Sequence, residues 1–198
     1  MKFLIFADLH GDLDMLKNLI KKAEEADAII CAGDITIFEQ DMNKIINALA
    51  GTKKLIFIIP GNHESASRME NMCKHHKNIV FLHKKIKILG KHILIGYGSG
   101  GFSLVDNNLK KSIGKIKDTV NKHNGKKIIL ISHGPPFKTN LDLIACEHCG
   151  SKTIKELILH IQPDLFVCGH FHENFGVEDN IGNTRAINPG PKGKIINL

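Results

Sequence analysis

The sequence predicts an α/β fold organised around a mainly parallel sheet, and three observations carry that prediction. Short apolar runs of strand length alternate with segments whose apolar residues recur at helical spacing. Five of those runs end in Asp, Asn or His beside glycine, as at the carboxyl edge of a parallel sheet. Antiparallel signals are confined to the middle and the tail of the chain.

The first unit is Lys2 to Ala7, a continuous apolar run, followed by Gly11 to Glu25, where Leu13, Leu16, Leu19, Ile20 and Ala23 share a helical face. The pattern repeats with a strand over Ala28 to Cys31 and a helix over Gln40 to Ala50. A third unit places a strand over Lys54 to Ile59 and a helix over Ser65 to Lys74. Lys85 to Leu89 and His92 to Ile95 flank Gly90-Lys91, which predicts a hairpin. A helix over Asn108 to His123, a strand over Lys127 to Ile131, a helix capped by Ser151 and running to His160, and a strand over Asp164 to Cys168 come next. Asn174 to Glu178, Asn183 to Asn188 and Gly193 to Asn197 read as short antiparallel strands. No boundary or internal repeat interrupts this order, so residues 1–198 are expected to form one domain.

Composition narrows the function classes. Hydrophobic residues make up 42% and charged residues 24%, the balance of a globular protein. Asp8 breaks the first apolar run before a signal-peptide core or a membrane span can form, so a cytoplasmic protein with no membrane partner is expected. Five cysteines, mostly inside apolar runs, fit a reducing compartment. The net charge of +7 would suit nucleic acid, but the lysines are dispersed without interleaved aromatics, and Arg68 and Arg185 are the only arginines. A solvated Lys-rich surface is the expected reading.

The strand ends carry the chemistry. They read Asp8-Leu9-His10, Gly33-Asp34, Gly61-Asn62-His63-Glu64, His133-Gly134 and Gly169-His170-Phe171-His172. Asp8, Asp34, Asn62, His10, His133, His170 and His172 offer two carboxylates, one amide and four imidazoles, donors that suit Mn, Fe, Zn, Co or Ni. Seven donors exceed what one ion needs, so two divalent metal ions are expected. One shared carboxylate would hold them about 3.5–4 Å apart, the spacing of two-metal hydrolytic sites. Glycines beside Asp34, Asn62, His133 and His170 are expected to let backbone approach the crowded centre.

These residues resemble the calcineurin-like metallophosphoesterases, whose pattern is D-x-H, GD, GNH[DE], H and GHxH. All five blocks occur in order over residues 8 to 172, as DLH, GD, GNHE, SHGPP and GHFH. HGPP, GHFHE and NPGP look more particularly like the small Icc-related phosphoesterases. The resemblance implies a metallophosphatase fold, a four-layer αββα sandwich of two mixed sheets flanked by helices. It implies that Asp8, His10 and His172 hold one metal, that Asn62, His133 and His170 hold the second, and that Asp34 bridges them. His63 would be the general acid rather than a ligand. The implied activity is metal-dependent phosphoester hydrolysis, with manganese the ion expected to support it in vitro. Small or cyclic nucleotide-like phosphodiesters are the expected substrates. The aspartate and arginines of protein Ser/Thr phosphatases near GD and GNHE are missing here, which argues against that branch. Two alternatives stay open: a non-catalytic metal-binding scaffold of the same fold, and a non-specific nuclease using the basic surface.

Other segments have plainer readings. Cys146-Glu147-His148-Cys149 lacks the second ligand pair of a structural zinc site and is expected to be a loop whose His148 or Cys149 could line the substrate pocket. Gly98-Ser99-Gly100-Gly101 is expected to be a turn rather than a P-loop. Arg68 is either a substrate contact or a solvated helix position, and His75, His76, His83, His92, His123 and His160 read as surface residues. Asn188-Pro189-Gly190 reads as a turn between the last strands, which the resemblance places near the metal edge.

Overall fold

The computed structural model describes residues 1–98 and 103–198. Beyond Gly98, the expected turn through Gly101 lies outside the described residues. The first half runs β1 (Lys2–Phe6), α1 (Leu13–Lys22), β2 (Ala28–Cys31), α2 (Met42–Ala50), β3 (Leu55–Ile58), α3 (Ala66–Cys73) and β4 (Ile79–Phe81). The second half runs β5 (Lys85–Leu89), β6 (His92–Tyr97), α4 (Asn107–Asn121), β7 (Lys127–Ser132), β8 (Leu143–Ile144), β9 (Glu147–His148), α5 (Lys152–Ile161) and β10 (Leu165–Val167). It ends with β11 (Glu178–Ile181), β12 (Thr184–Ile187) and β13 (Lys194–Asn197).

Two large mixed sheets result. One has the order β13-β1-β2-β3-β4, parallel except where β13 pairs antiparallel with β1. The other has the order β11-β12-β10-β7-β6-β5, with a parallel centre and an antiparallel pair at each edge. The predicted hairpin is the β5-β6 pair. The expectation of antiparallel tail strands holds for β11 and β13, whereas β12 runs parallel to β10.

Side-chain alternation along the strands sorts the core into layers. Leu4 and Phe6 of β1 pack with Leu16, Leu19, Ile45 and Met69 of the first three helices. Phe3 and Ile5 of the same strand turn the other way, to meet Leu94, Ile129, Leu165 and Ile187 of the second sheet. The outer face of that sheet carries Ile93, Leu130 and Phe166 against Leu109, Ile113, Leu157 and Ile158 of α4 and α5. Helices, sheet, sheet and helices therefore form the four layers of an αββα sandwich. Among the described residues no helix is long and apolar enough to cross a membrane.

Three expectations need correction. The strand expected over Asn174 to Glu178 begins only at Glu178 and is preceded by a 3-10 turn over His172–Asn174. Asn174 is buried and its amide donates to the Leu141 and Leu143 carbonyls, and Gly176 at φ 81° breaks the extended path. His92 is buried rather than a surface residue, edge-on to Phe3 with its Nε2 facing the Leu198 carbonyl. His83 is partly buried, and burial followed by the charge of Lys84 pushes its pKa down to about 4.

Candidate metal centre

All of the candidate ligands lie within a few residues of a strand's carboxyl end. Asp8 and His10 follow β1, Asp34 follows β2, and Asn62 and His63 follow β3. His133 follows β7, and His170 and His172 follow β10. The first three strands belong to one sheet and the last two to the other, so the candidate site lies on the seam between them.

Asp34 lies at the middle of the cluster. Its Oδ2 is 3.2 Å from His133 Nε2 and 3.9 Å from both His10 Nε2 and His63 Nε2. Its Oδ1 accepts the His63 backbone N–H at 2.9 Å. Asp8 accepts the His170 N–H at 3.1 Å and lies 3.9 Å from His10 Nε2 and 4.0 Å from His172 Nε2. Donor atoms converge within 4.8 Å in three overlapping groups: Asp8, His10 and His172; Asp34, His133 and His170; and His10, Asp34 and His63. Asn62 joins the second group through its Oδ1, 3.0 Å from His133 Nε2.

The rings are oriented from behind. His133 Nδ1 lies 2.8 Å from the Ala32 carbonyl and His10 Nδ1 lies 3.3 Å from the Thr36 carbonyl. A carbonyl oxygen only accepts, so each Nδ1 carries a proton and each Nε2 is turned toward the centre. His10 Nε2 and His172 Nε2 come within 3.0 Å of each other. Two carboxylates, an amide oxygen and imidazole nitrogens held this way fit divalent metal ions.

Burial pushes the Asp8 carboxyl up to about 6, against the lowering influence of the His133 charge. Burial acts in the same sense on Asp34. There the hydrogen bond and charge of His133, with the His63 N–H, outweigh it and hold the pKa below its ordinary value. Burial would lower His133, but its bond to Asp34 and the charges of Asp34 and Asp8 raise it to about 9. His170 is pushed down to about 4 by burial, then by the neighbouring charge of His133. A proton on His133 Nε2 thus lies where Asn62 and Asp34 also converge, and a cation would compete for the same place.

The backbone is strained to achieve this. Asp8, His10, Asp34 and His170 all adopt left-handed conformations, with φ of 57°, 47°, 52° and 74°. Each costs on the order of 1–2 kcal/mol for a residue with a Cβ. Three glycines make the close approach possible: a Cβ on Gly33 would run into the Gly61 backbone and His133 Nδ1, one on Gly61 into the Asp34 carboxylate, and one on Gly169 into that of Asp8. The same expectation fails at Gly134, where a Cβ would meet nothing.

Glu64 completes the GNHE block, and the structure gives it a role of its own. It is buried and accepts the N–H groups of Asp34 at 3.0 Å, Thr36 at 2.9 Å and Gly61 at 2.9 Å, and the Thr36 hydroxyl at 2.8 Å. It staples the loop after β2 to the loop after β3. The sequence signal for it is its place directly after Asn62 and His63.

Arg68 pairs at 2.6 Å with Glu39 of the loop between β2 and α2. The segment expected to be a loop before α5 contains the β8-β9 hairpin. Its Cys146 and Cys149 are free thiols, and His148 Nδ1 bonds at 2.8 Å to the buried Asp142. The Asn188 turn does reach the metal edge, since the Gly190 carbonyl accepts the Ala7 N–H at 3.1 Å and Asn188 donates to the Phe171 carbonyl at 3.1 Å.

A family model of calcineurin-like phosphoesterases matches residues 1–174. The chain belongs to the calcineurin-like phosphoesterase family. As a member of that family it is a metallophosphoesterase, an enzyme that hydrolyses phosphoester bonds. An uncharacterized protein of Methanocaldococcus jannaschii is 30% identical over 99% of this chain and 91% of its own length. A probable glycerophosphodiester phosphodiesterase of Arcobacter nitrofigilis is 26% identical over 83% of this chain and 64% of its own length. A crystal structure from Thermus thermophilus shares the fold with a TM-score of 0.75 at 17% identity, covering 96% of this chain and 90% of that one.

Replacing Glu64 by Gln turns an amide donor toward N–H groups that need an acceptor. Chelated Glu64→Gln protein is expected to lose about 2 kcal/mol or more in urea unfolding, and about tenfold in metal affinity. Unchanged values would show that the staple is dispensable. Metal binding at pH 7.5 is also expected to release at least one proton per chain, because a ligating His133 gives up its proton. Calorimetry in buffers of different ionisation enthalpy measures this, and a release of zero would contradict it.

Proposed function

We propose that residues 1–198 act as one dinuclear-metal phosphodiesterase domain on small or cyclic nucleotide-like esters. The observation that carries this reading is the position of Asp34, whose carboxylate adjoins imidazoles from both sheets and can serve two ions at once. Asp8, His10 and His172 would hold one ion, and Asn62, His133 and His170 the other, with Asp34 shared. Mn, Fe, Zn, Ni or Co suit these donors, with Mn the ion we expect to support activity in vitro. Two such ions supply an activated water and neutralise the phosphoryl oxygens.

His63 stands apart from those two sets as the proton donor. The Phe38 backbone N–H lies 3.4 Å from His63 Nδ1, on the side of the ring away from the centre. His63 Nε2 faces the centre, 3.9 Å from Asp34 Oδ2, and in this reading the imidazolium form delivers its Nε2 proton to the leaving oxygen and is left as neutral imidazole. A diester preference is supported by the two arginines, both engaged elsewhere: Arg68 with Glu39, and Arg185 with Glu178 at 2.8 and 3.1 Å. Clamping a dianionic terminal phosphate with either would require breaking its ion pair. Five free cysteines are consistent with the cytoplasm as its location.

His63→Gln is expected to lose roughly 10²- to 10⁴-fold in kcat on nucleotide diesters and far less on nitrophenyl esters, whose leaving group departs without a proton. Elemental analysis of the same samples is expected to find about two ions per chain. Equal losses on both ester types, or a missing ion, would assign His63 to the ligands instead.

A further inference from the structure

The loop between β2 and α2 presents an apolar tip beside the candidate proton donor. Phe38 is 74% exposed and its neighbour Ile37 45% exposed. The Phe38 ring rests on the His63 ring at 4.6 Å between centroids, with an interplanar angle of 51°. His63 in turn lies edge-on to His10 at 4.9 Å, so Phe38 directly continues the candidate site toward solvent.

Two features set this phenylalanine apart from a casually exposed side chain. Burying a Phe is worth roughly 1.5–3 kcal/mol, and leaving one in water forgoes that gain. The residue also adopts a left-handed backbone at φ 45°, as does Glu39 at 66°. The tip is nevertheless firmly held. Glu39 accepts the Ser65 N–H at 2.8 Å and pairs with Arg68 at 2.6 Å. The Thr36 hydroxyl accepts the Glu39 N–H at 3.2 Å and donates to the buried Glu64 at 2.8 Å, and Gln40 N–H closes a turn on the Ile37 carbonyl at 3.0 Å. An exposed ring on a strained backbone whose flanking residues are held on both sides is pre-organised for contact.

We infer that Phe38 is a specificity-determining residue, a stacking platform for a planar heteroaromatic ring carried by the leaving alcohol of the substrate. The inference rests on the role proposed for His63: the side of the site that delivers the proton is the side where the leaving group departs, and Phe38 covers that side. A nucleoside leaving group places a base within reach of such a ring, whereas glycerol or another aliphatic alcohol offers nothing to stack. Stacking on an aromatic side chain tolerates any base, because each has a π face.

The test compares adenosine 3′,5′-cyclic phosphate with 1-O-methylribose 3′,5′-cyclic phosphate, which differs by lacking the base. The ratio of their kcat/KM values is expected to fall about tenfold in Phe38→Ala and Phe38→Leu, and to persist in Phe38→Trp. Calorimetric binding of adenosine 5′-monophosphate against ribose 5-phosphate, on manganese-loaded protein, supplies an arm independent of turnover. There the base is expected to add about tenfold in affinity, lost in Phe38→Ala. Hydrolysis of both cyclic esters with no advantage from the base in either arm would overturn the stacking role and leave the phosphodiesterase reading standing. A Phe38-dependent base increment without hydrolysis would uphold the stacking role and overturn the phosphodiesterase reading. Absence of both would overturn both.

Discussion

Two buried carboxylates have to be satisfied across the seam between the sheets, and most of the site follows from that requirement. Asp8 and Asp34 leave the first sheet at the ends of β1 and β2, and both are nearly inaccessible to water. A buried carboxylate without partners would cost far more than a typical hydrogen bond returns. The second sheet supplies the His170 N–H for Asp8 and His133 for Asp34, and the His63 N–H after β3 of the first sheet completes the set on Asp34. Register, loop length and left-handed backbone at the strand ends are therefore constrained together. Gly61 and Gly169 are the positions where a side chain would collide with one carboxylate or the other.

The same requirement explains why the centre suits cations. Each carboxylate has imidazoles rather than lysines or arginines about it, and an imidazole can surrender its proton and become a ligand. Glu64 holds the surrounding loops without joining the cluster, by accepting three backbone N–H groups and a hydroxyl. Its position lets the loop after β2 continue to Phe38 in a fixed course, so the rim is tied to the same network as the centre.

Much of this was legible in the sequence. The alternation of apolar runs with helical faces gave the strands and helices of the first half, and the polar residues at five run ends named the side chains that the fold brings together. Proximity between loops was not legible. Nothing in Ile37-Phe38-Glu39 announces that its glutamate meets Ser65 and Arg68, or that its phenylalanine covers His63. Ile79 to Phe81 makes a strand too short to stand out from periodicity alone, and of the tail only the stretch from Asn174 to Val177 departs from the expected strands, because Asn174 obeys a buried hydrogen bond rather than local propensity. The polar and basic residues around His92 in the sequence suggest a surface position, whereas its ring packs edge-on to Phe3 and its Nε2 faces the Leu198 carbonyl.

The central claim is that one carboxylate organises two ion sites, and counting ions in an Asp34 variant tests it most directly. Wild-type protein and Asp34→Asn, each reconstituted with manganese and desalted, would be compared by elemental analysis after circular dichroism shows both to be folded. The account predicts about two ions per chain in the wild type and fewer than one in the variant, since the shared ligand is weakened for both sites at once. A single ion in the wild type, or loss of only one of two ions in the variant, would contradict it.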